Sequence, residues 1–280
     1  MVTRSTKSHR VSQYVKPKKA LGQHFLTDPN IARKIVSCLS GHGGYSRILE
    51  VGPGTGILSR FLADKDKPLW YGIDVDIESI NHLVERFPAA SDRIIHGDFL
   101  DFDLPSVMGD DSTAIIGNFP YNISSQILFR ILSLKEFVPE VVGMFQKEVA
   151  QRIAAPPGNK TYGILSVLTQ AFYHVKILFH VEAHVFHPPP KVQSSVLHMR
   201  IKDAYRLPCD ESLFFRLVKT AFNQRRKTLR NSLRSLDIAW EQLPAGLARE
   251  RPEKLGFQEF VHIALQTSPH APPKPPAPGE

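Results

Sequence analysis

Short apolar runs alternate with amphipathic segments along most of the chain. "RILEV", "PLWYGID", "RIIHGD", "TAIIGN" and "EVVGMFQ" are compact and rich in branched residues, and they read as strands. Between them, "IESINHLVER" (about Ile77 to Arg86), "SSQILFRILS" and "KEVAQRIA" repeat apolar positions every three or four residues, the pattern of a helix with one buried face. Asp28 followed by Pro29 is an N-cap and first-turn signal, so a helix is expected from about Pro29 to Leu39, ended by "GHGG". Another is expected from about Ile57. "YGILSVLTQAF" reads as helical, "HVKILFHV" as extended and "VQSSVLHMRI" as one more strand. Strands that alternate with helices imply an α/β fold with a doubly wound, mostly parallel, Rossmann-like sheet. From about Pro208 the pattern is wholly helical, and "EFVHIALQ" is its last amphipathic piece.

This divides the chain into a basic arm at 1–19, an α/β domain at 20–204, a smaller all-helical domain at 205–266 and a tail at 267–280. The tail has six prolines in fourteen residues and is expected to be disordered. Charge sharpens the picture. The 280 residues carry a formal net charge of +8. Residues 1–19 hold six Lys or Arg and residues 212–236 hold seven, and neither stretch contains an acid. A solvated surface usually mixes signs, so the clustering points to a polyanionic partner, nucleic acid. Two distant cysteines, Cys38 and Cys209, argue against a disulfide framework and against a metal site. No apolar run approaches membrane-spanning length, so a cytoplasmic protein with no membrane partner is expected.

"EVGPGTG" follows the first long strand. Its glycines permit a tight turn and let a ligand lie against the main chain. It is not a complete dinucleotide fingerprint, because Ile57 stands where the third spaced glycine would need to follow, and no Gly-Lys-Ser/Thr makes it a Walker loop. Gly52 and Gly54 are cofactor-binding candidates. Asp74 is suitably placed after them to accept from ribose hydroxyls, and Asp98, in "HGDFLDFD", to accept from an adenine amine.

"IGNFPYNIS" carries the chemistry. An adenine amino nitrogen is a poor nucleophile because its lone pair is delocalised into the ring. Two acceptors at about 2.9 Å would hold both its protons and favour a pyramidal nitrogen. The side-chain oxygen of Asn118 supplies one, and the Pro120 carbonyl, stiffened by the ring, supplies the other. Tyr121 offers a face on which an extruded base stacks. The electrophile would be the sulfonium methyl of S-adenosylmethionine, and catalysis would be positioning plus electrostatics.

"NFPYNIS" resembles the N-L-P-Y-N-I-S motif of the ribosomal RNA small-subunit adenine N6,N6-dimethyltransferases (the KsgA/RsmA type). "KKALGQHFL", "LEVGPGTGILS", "GDFLDFD", "VFHPPPKVQSSVL" and "AFNQRRKTLRNSL" resemble further segments of that family, in order, over about residues 16–265. The resemblance implies the S-adenosylmethionine-dependent form of the fold, with dimethylation of N6 on two adjacent adenines near the 3′ end of small-subunit ribosomal RNA. The implied partner is a small ribosomal subunit precursor; nothing in the sequence suggests an obligate dimer, so a monomer is expected. It further implies that Gly52, Asp98 and Asn118 line the cofactor site, that His24 contacts the cofactor, that Leu26 helps close over it, and that Tyr121 and Phe186 sandwich the base. Two positions differ from the family pattern: His24 stands where Asn is usual, and Gly72 lies where an acid often precedes Asp74 by two residues.

On the RNA side, "FNQRRKTLRNSLRS" puts Arg226, Arg230 and Arg234 at helical spacing, flanked by Arg225 and Lys227 and opposed by Leu229, Leu233 and Leu236. Such a stripe would contact phosphates. Lys191, after three prolines, is a further phosphate candidate. Three alternatives stay open at this point: an Erm-like enzyme acting on large-subunit RNA, an assembly factor whose binding outweighs its catalysis, and a DNA adenine methyltransferase.

Overall fold

A computed structural model of the chain describes residues 15–63, 68–109 and 111–268. The expected arm and tail, but for 15–19 and 267–268, lie outside the described residues. The strands are β1 (Phe25–Leu26), β2 (Arg47–Val51), β3 (Leu69–Asp74), β4 (Ile94–His96), β5 (Thr113–Asn118), β6 (Glu140–Gln146), β7 (Tyr173–Val181), β8 (Phe186–His187) and β9 (Ser194–Ile201). The α-helices are α1 (Pro29–Val36), α2 (Ile77–Arg86), α3 (Leu104–Met108), α4 (Ser124–Ser133), α5 (Lys147–Ala154), α6 (Ile164–Phe172), α7 (Glu211–Asn223), α8 (Leu229–Ser232) and α9 (Phe257–Leu265).

Seven strands form one sheet in the order β4-β3-β2-β5-β6-β9-β7. The first five are parallel, while β9 runs antiparallel to both β6 and β7. The central strands are apolar on both faces because helices cover both. Ile48, Ala114, Ile116, Val142 and Val196 pack on one side with Ala32, Ile35 and Val36 of α1 and Ile80 and Leu83 of α2. Their neighbours Leu49, Ile115, Val141 and Leu197 pack on the other side with α3 to α9. The helical segment from α7 onward therefore shares one apolar cluster with a face of the sheet.

Local chemistry accounts for several boundaries. The Asp28 carboxylate caps α1 by accepting from the Asn30 and Ile31 amides at 2.7 and 3.3 Å, with Pro29 in the first turn. The helix ends at Val36, three residues short of the expected Leu39. Asp76 caps α2 in the same way.

Two expectations are corrected. No α-helix starts at Ile57. The chain there makes turns and a single 3-10 turn at Ser59–Phe61, mixing bonds from Phe61 N to Leu58 O and from Ala63 N to Ser59 O. Leu58 and Leu62 are nonetheless buried, so the turns satisfy the apolar spacing that suggested a helix. The basic stretch at the C-terminal end is not one continuous helix either: α7 ends at Asn223 and α8 begins at Leu229. The buried stripe of α7 (Leu213, Phe214, Leu217, Val218, Ala221) would next require Arg225 in the core. Instead the Arg225 guanidinium donates to the Lys160 carbonyl at 2.8 Å and lies 3.6 Å from Glu253. The chain turns so that Leu229 and Leu233 become the next buried residues.

Candidate active site

Strand order reverses between β2 and β5, and the carboxyl ends of these two strands open a crevice there. Gly52 follows β2 and Asn118 ends β5. Between them lies a cavity of 370 Å³, within the range of small-ligand sites. Gly52, Gly54, Asp74, Asp98, Asn118, Pro120 and Tyr121 all line it, as does His24.

The glycine loop is required by its backbone. Gly52 and Gly54 have φ of 68° and 53°, the left-handed region that only glycine adopts freely. A Cβ on Gly54 would meet Phe25 Cε1 at 2.6 Å, so β1 seals the loop from outside. The buried Asp74 carboxylate accepts from the Gly54 and Asp76 amides at 3.1 and 2.9 Å. Burial pushes its carboxyl up, and these amides offset part of the effect. Gly72 stands where the family pattern often has an acid. It lies inside β3 opposite Glu50, where a Cβ would meet Trp70 at 2.9 Å and Pro53 at 3.4 Å. The acid at the strand end is Asp74 itself.

Asp98 is exposed in the turn after β4. Its Oδ1 accepts from the Leu100 amide at 2.9 Å, which fixes the side chain and leaves Oδ2 for a ligand. Deeper in, Glu50 is fully buried and accepts from the Ser59 hydroxyl at 2.7 Å and the Trp70 indole at 2.9 Å. Burial drives its carboxyl up to about 7.

Asn118 is oriented by main chain. Its Nδ2 donates to the His24 carbonyl at 2.8 Å. Because a carbonyl only accepts, the amide oxygen is the atom left over, and it accepts no hydrogen bond among the described residues. The Pro120 carbonyl receives the Ile123 amide at 3.3 Å, a long bond that leaves its second lone pair. The Tyr121 hydroxyl bonds the Ser194 hydroxyl at 2.5 Å, which pins the ring, and burial pushes the phenol up.

The ring found against Tyr121 is that of His24, with centroids 5.4 Å apart and planes 26° from parallel. Its Nδ1 donates to the Pro188 carbonyl at 2.7 Å. Phe186, the other residue expected to sandwich the base, does not line the cavity. Phe186 is 3% exposed, packs with the cluster beneath α1, and reaches the cavity only through its pairing with Leu26 across β1 and β8. Leu26 is likewise buried in that cluster and does not line the cavity; its neighbour Phe25 does. Alternation along β1 explains the exchange, since adjacent side chains point to opposite faces.

Sequence reasoning missed what holds this segment down. Lys18 Nζ lies 2.6 Å from Asp76 Oδ1 and 3.1 Å from Glu78, and Gln23 Nε2 donates to Asp76 Oδ2 at 3.2 Å. Burial opposes it, but the ammonium and the amide hold the Asp76 carboxyl below the usual range. No local pattern reveals a lysine that pairs across 58 positions. A second cavity of 640 Å³ shares His24 and Tyr121 with the first and is walled by Lys19, Gln146, Pro188 to Pro190 and Lys191. Lys191 is among the residues that line it. Arg226, Lys227, Arg230 and Arg234 are exposed, on a turn and a short helix.

The cavity suits S-adenosylmethionine chemically. Backbone at left-handed glycines permits close approach, carboxylates at two strand ends meet hydroxyl and amine donors, and Val75, Leu100 and Phe119 give an apolar wall.

Comparison with known proteins agrees. The sequence model of the family described as "Ribosomal RNA adenine dimethylase" matches residues 15–243. A protein of Cytophaga hutchinsonii named "Ribosomal RNA small subunit methyltransferase A" is 52% identical over 91% of this chain and 98% of its own length. One of the same name from Flavobacterium johnsoniae is 52% identical over 88% and 94%. The solved dimethyladenosine transferase of Plasmodium falciparum superposes with a TM-score of 0.72 at 24% identity, covering 86% of this chain and 96% of the other. A solved 23S ribosomal RNA methyltransferase, ErmE, does so with a TM-score of 0.64 at 22% identity, covering 86% and 100%. The strand-end cavity, the amide turned toward it and the family match over most of the chain lead to one conclusion: the chain belongs to the ribosomal RNA adenine dimethylases, enzymes that methylate adenine with S-adenosylmethionine.

Proposed function

We propose that the protein dimethylates N6 of two adjacent adenines near the 3′ end of small-subunit ribosomal RNA, and that it does so on an immature small subunit, as a monomer. The observation that carries the chemistry is the hydrogen bond from Asn118 to the His24 carbonyl, which leaves the amide oxygen facing the cavity. The bound methyl donor supplies an electrophilic sulfonium methyl. The protein's part is to prepare the amine. Asn118 Oδ1 and the Pro120 carbonyl each accept a hydrogen bond from an N6–H and turn the nitrogen lone pair toward the methyl, and the nitrogen's surplus proton leaves to solvent after transfer. Tyr121, held by Ser194, stacks on the extruded base. Gly52, Gly54, Asp74 and Asp98 hold the donor, with His24 beside it. Lys191 and the exposed Arg226, Lys227, Arg230 and Arg234, with Arg225 anchored behind them, meet RNA phosphates as the binding face of the 205–266 segment. The small-subunit target rests on the two relatives named for it.

The test is transfer of labelled methyl to small subunits lacking the modification, with mass spectrometry locating the products. Wild type is expected to give two neighbouring dimethyladenines. Asn118→Ala is expected to lower kcat by roughly two to three orders of magnitude, the loss typical of a removed transition-state partner. Methylation confined to large-subunit RNA would sink the proposed substrate.

A further inference from the structure

Next to the β1–β8 ribbon is a further cavity of 290 Å³, lined by Thr27, Thr55, Arg60, Arg86 and His187, and it shares Phe25 with the active-site cavity. Neither arginine has been given a role above. Both are exposed, and neither pairs with a carboxylate among the described residues. Both are nonetheless positioned. The Arg60 guanidinium lies 5.1 Å from the Phe61 ring centroid and that of Arg86 lies 5.7 Å from Phe87, and Arg86 Nη1 reaches the Thr55 carbonyl at 3.5 Å. Guanidinium groups steadied on aromatic faces, with no acid partner among the described residues, suit bidentate recognition of an oxyanion. The Thr55 hydroxyl and the His187 imidazole add further donors, whereas the Thr27 hydroxyl already donates to the Val185 carbonyl.

Position names the oxyanion. His187 pairs with Phe25, and Phe25 also lines the cavity where Asn118 and Tyr121 sit. One residue further along, Pro188 opens the wall of the second cavity, which carries Lys19 and Lys191. The base site therefore shares residues with two cationic cavities. A strand with one nucleotide extruded onto Tyr121 presents phosphates in both directions from that nucleotide.

We infer that the cavity lined by Arg60, Arg86 and His187 binds backbone phosphate of the RNA strand flanking the target adenine. This rests on the reading of the protein as an RNA methyltransferase, and it assigns a contact remote from the basic segment at 225–234. The contact neutralises charge and carries no sequence information.

The test measures binding of the full chain to small-subunit ribosomal RNA by filter retention across a salt series, for wild type, Arg60→Gln/Arg86→Gln and Arg60→Lys/Arg86→Lys. The glutamine pair is expected to weaken binding at least tenfold at low salt and to flatten the slope of log affinity against log salt by roughly 1.4, the worth of two phosphate contacts on a single strand. The lysine pair, which keeps both charges, is expected to retain most of the slope. S-adenosylmethionine affinity, measured by calorimetry, is expected to stay within twofold of wild type for both. An unchanged slope in the glutamine pair would overturn the inference. So would a selective loss of S-adenosylmethionine affinity, which would assign the cavity to the donor's carboxylate. Binding needs no turnover, so a wild type that retains this salt dependence yet methylates no small subunit would refute the proposed function and leave the phosphate site standing.

Discussion

Asn118 shows how a single side chain acquires its role from groups that are not its neighbours. The amide was legible in "NFPYN" because an acceptor enclosed by proline and aromatics at a strand end has few other uses. Its orientation was not legible, because it depends on a carbonyl 94 positions away. Tyr121 divides in the same way. The ring belongs to the motif, while its fixation by Ser194 comes from β9. The two parts separate experimentally. Tyr121→Phe removes one hydrogen bond and keeps the stacking face, so kcat/KM should fall by only about fivefold, the worth of one such bond. Tyr121→Ala removes the face, and kcat/KM should fall by roughly ten- to a hundredfold. Equal losses in the two variants would mean that the hydroxyl, not the ring, matters. Phe186 marks the limit of motif reasoning. The residue is where the pattern puts it, but alternation along β8 turns its side chain into the core.

At the scale of elements, regular amphipathic segments were readable to the residue. Helices α2, α4 and α5 begin and end where "IESINHLVER", "SSQILFRILS" and "KEVAQRIA" do, because the apolar spacing runs the length of each, and at α2 the Asp76 cap also fixes the start. The failures have one cause in common. After the glycine loop and after α7 the apolar spacing persists, but it is met by turns, and periodicity does not distinguish a helix from turns that bury the same residues. The two-residue strands β1 and β8 carry no periodicity at all. They matter because they bring residues 18–26 onto the site, where Lys18 bridges to the capping acid of α2. That ion pair is half exposed, so its effect is modest. Lys18→Gln should raise KM for S-adenosylmethionine roughly two- to fivefold with kcat little changed. Raising salt should narrow the gap between variant and wild type, since an exposed pair is screened. Steady-state kinetics at two ionic strengths checks both, and a change in kcat alone would remove the bridge from the account.

Across the whole molecule, the doubly wound order and the basic excess were available from the sequence, whereas the burial of Glu50 beneath the glycine loop was not. That burial ties stability to pH. The carboxyl rises from 4.5 to about 7 on folding. Its contribution to stability is therefore fully present below pH 4.5 and is lost as pH rises through about 7. Between these limits wild type should lose up to roughly 3 kcal/mol that Glu50→Gln retains, since the amide oxygen still accepts from Ser59 and Trp70. Urea unfolding at pH 5 and pH 8 measures the difference, and parallel curves for the two proteins would refute it. The bond from His24 to Pro188 and that from Tyr121 to Ser194 have a further meaning when the chain is followed in the order of its synthesis. Residues 18–26 can pair with Asp76 as soon as α2 follows, but the His24 ring waits for the proline run and Tyr121 waits for β9. A nascent chain stopped before Pro188 carries the glycine loop and Asn118 but neither anchor, so the stacking face is fixed only after the strands that form it.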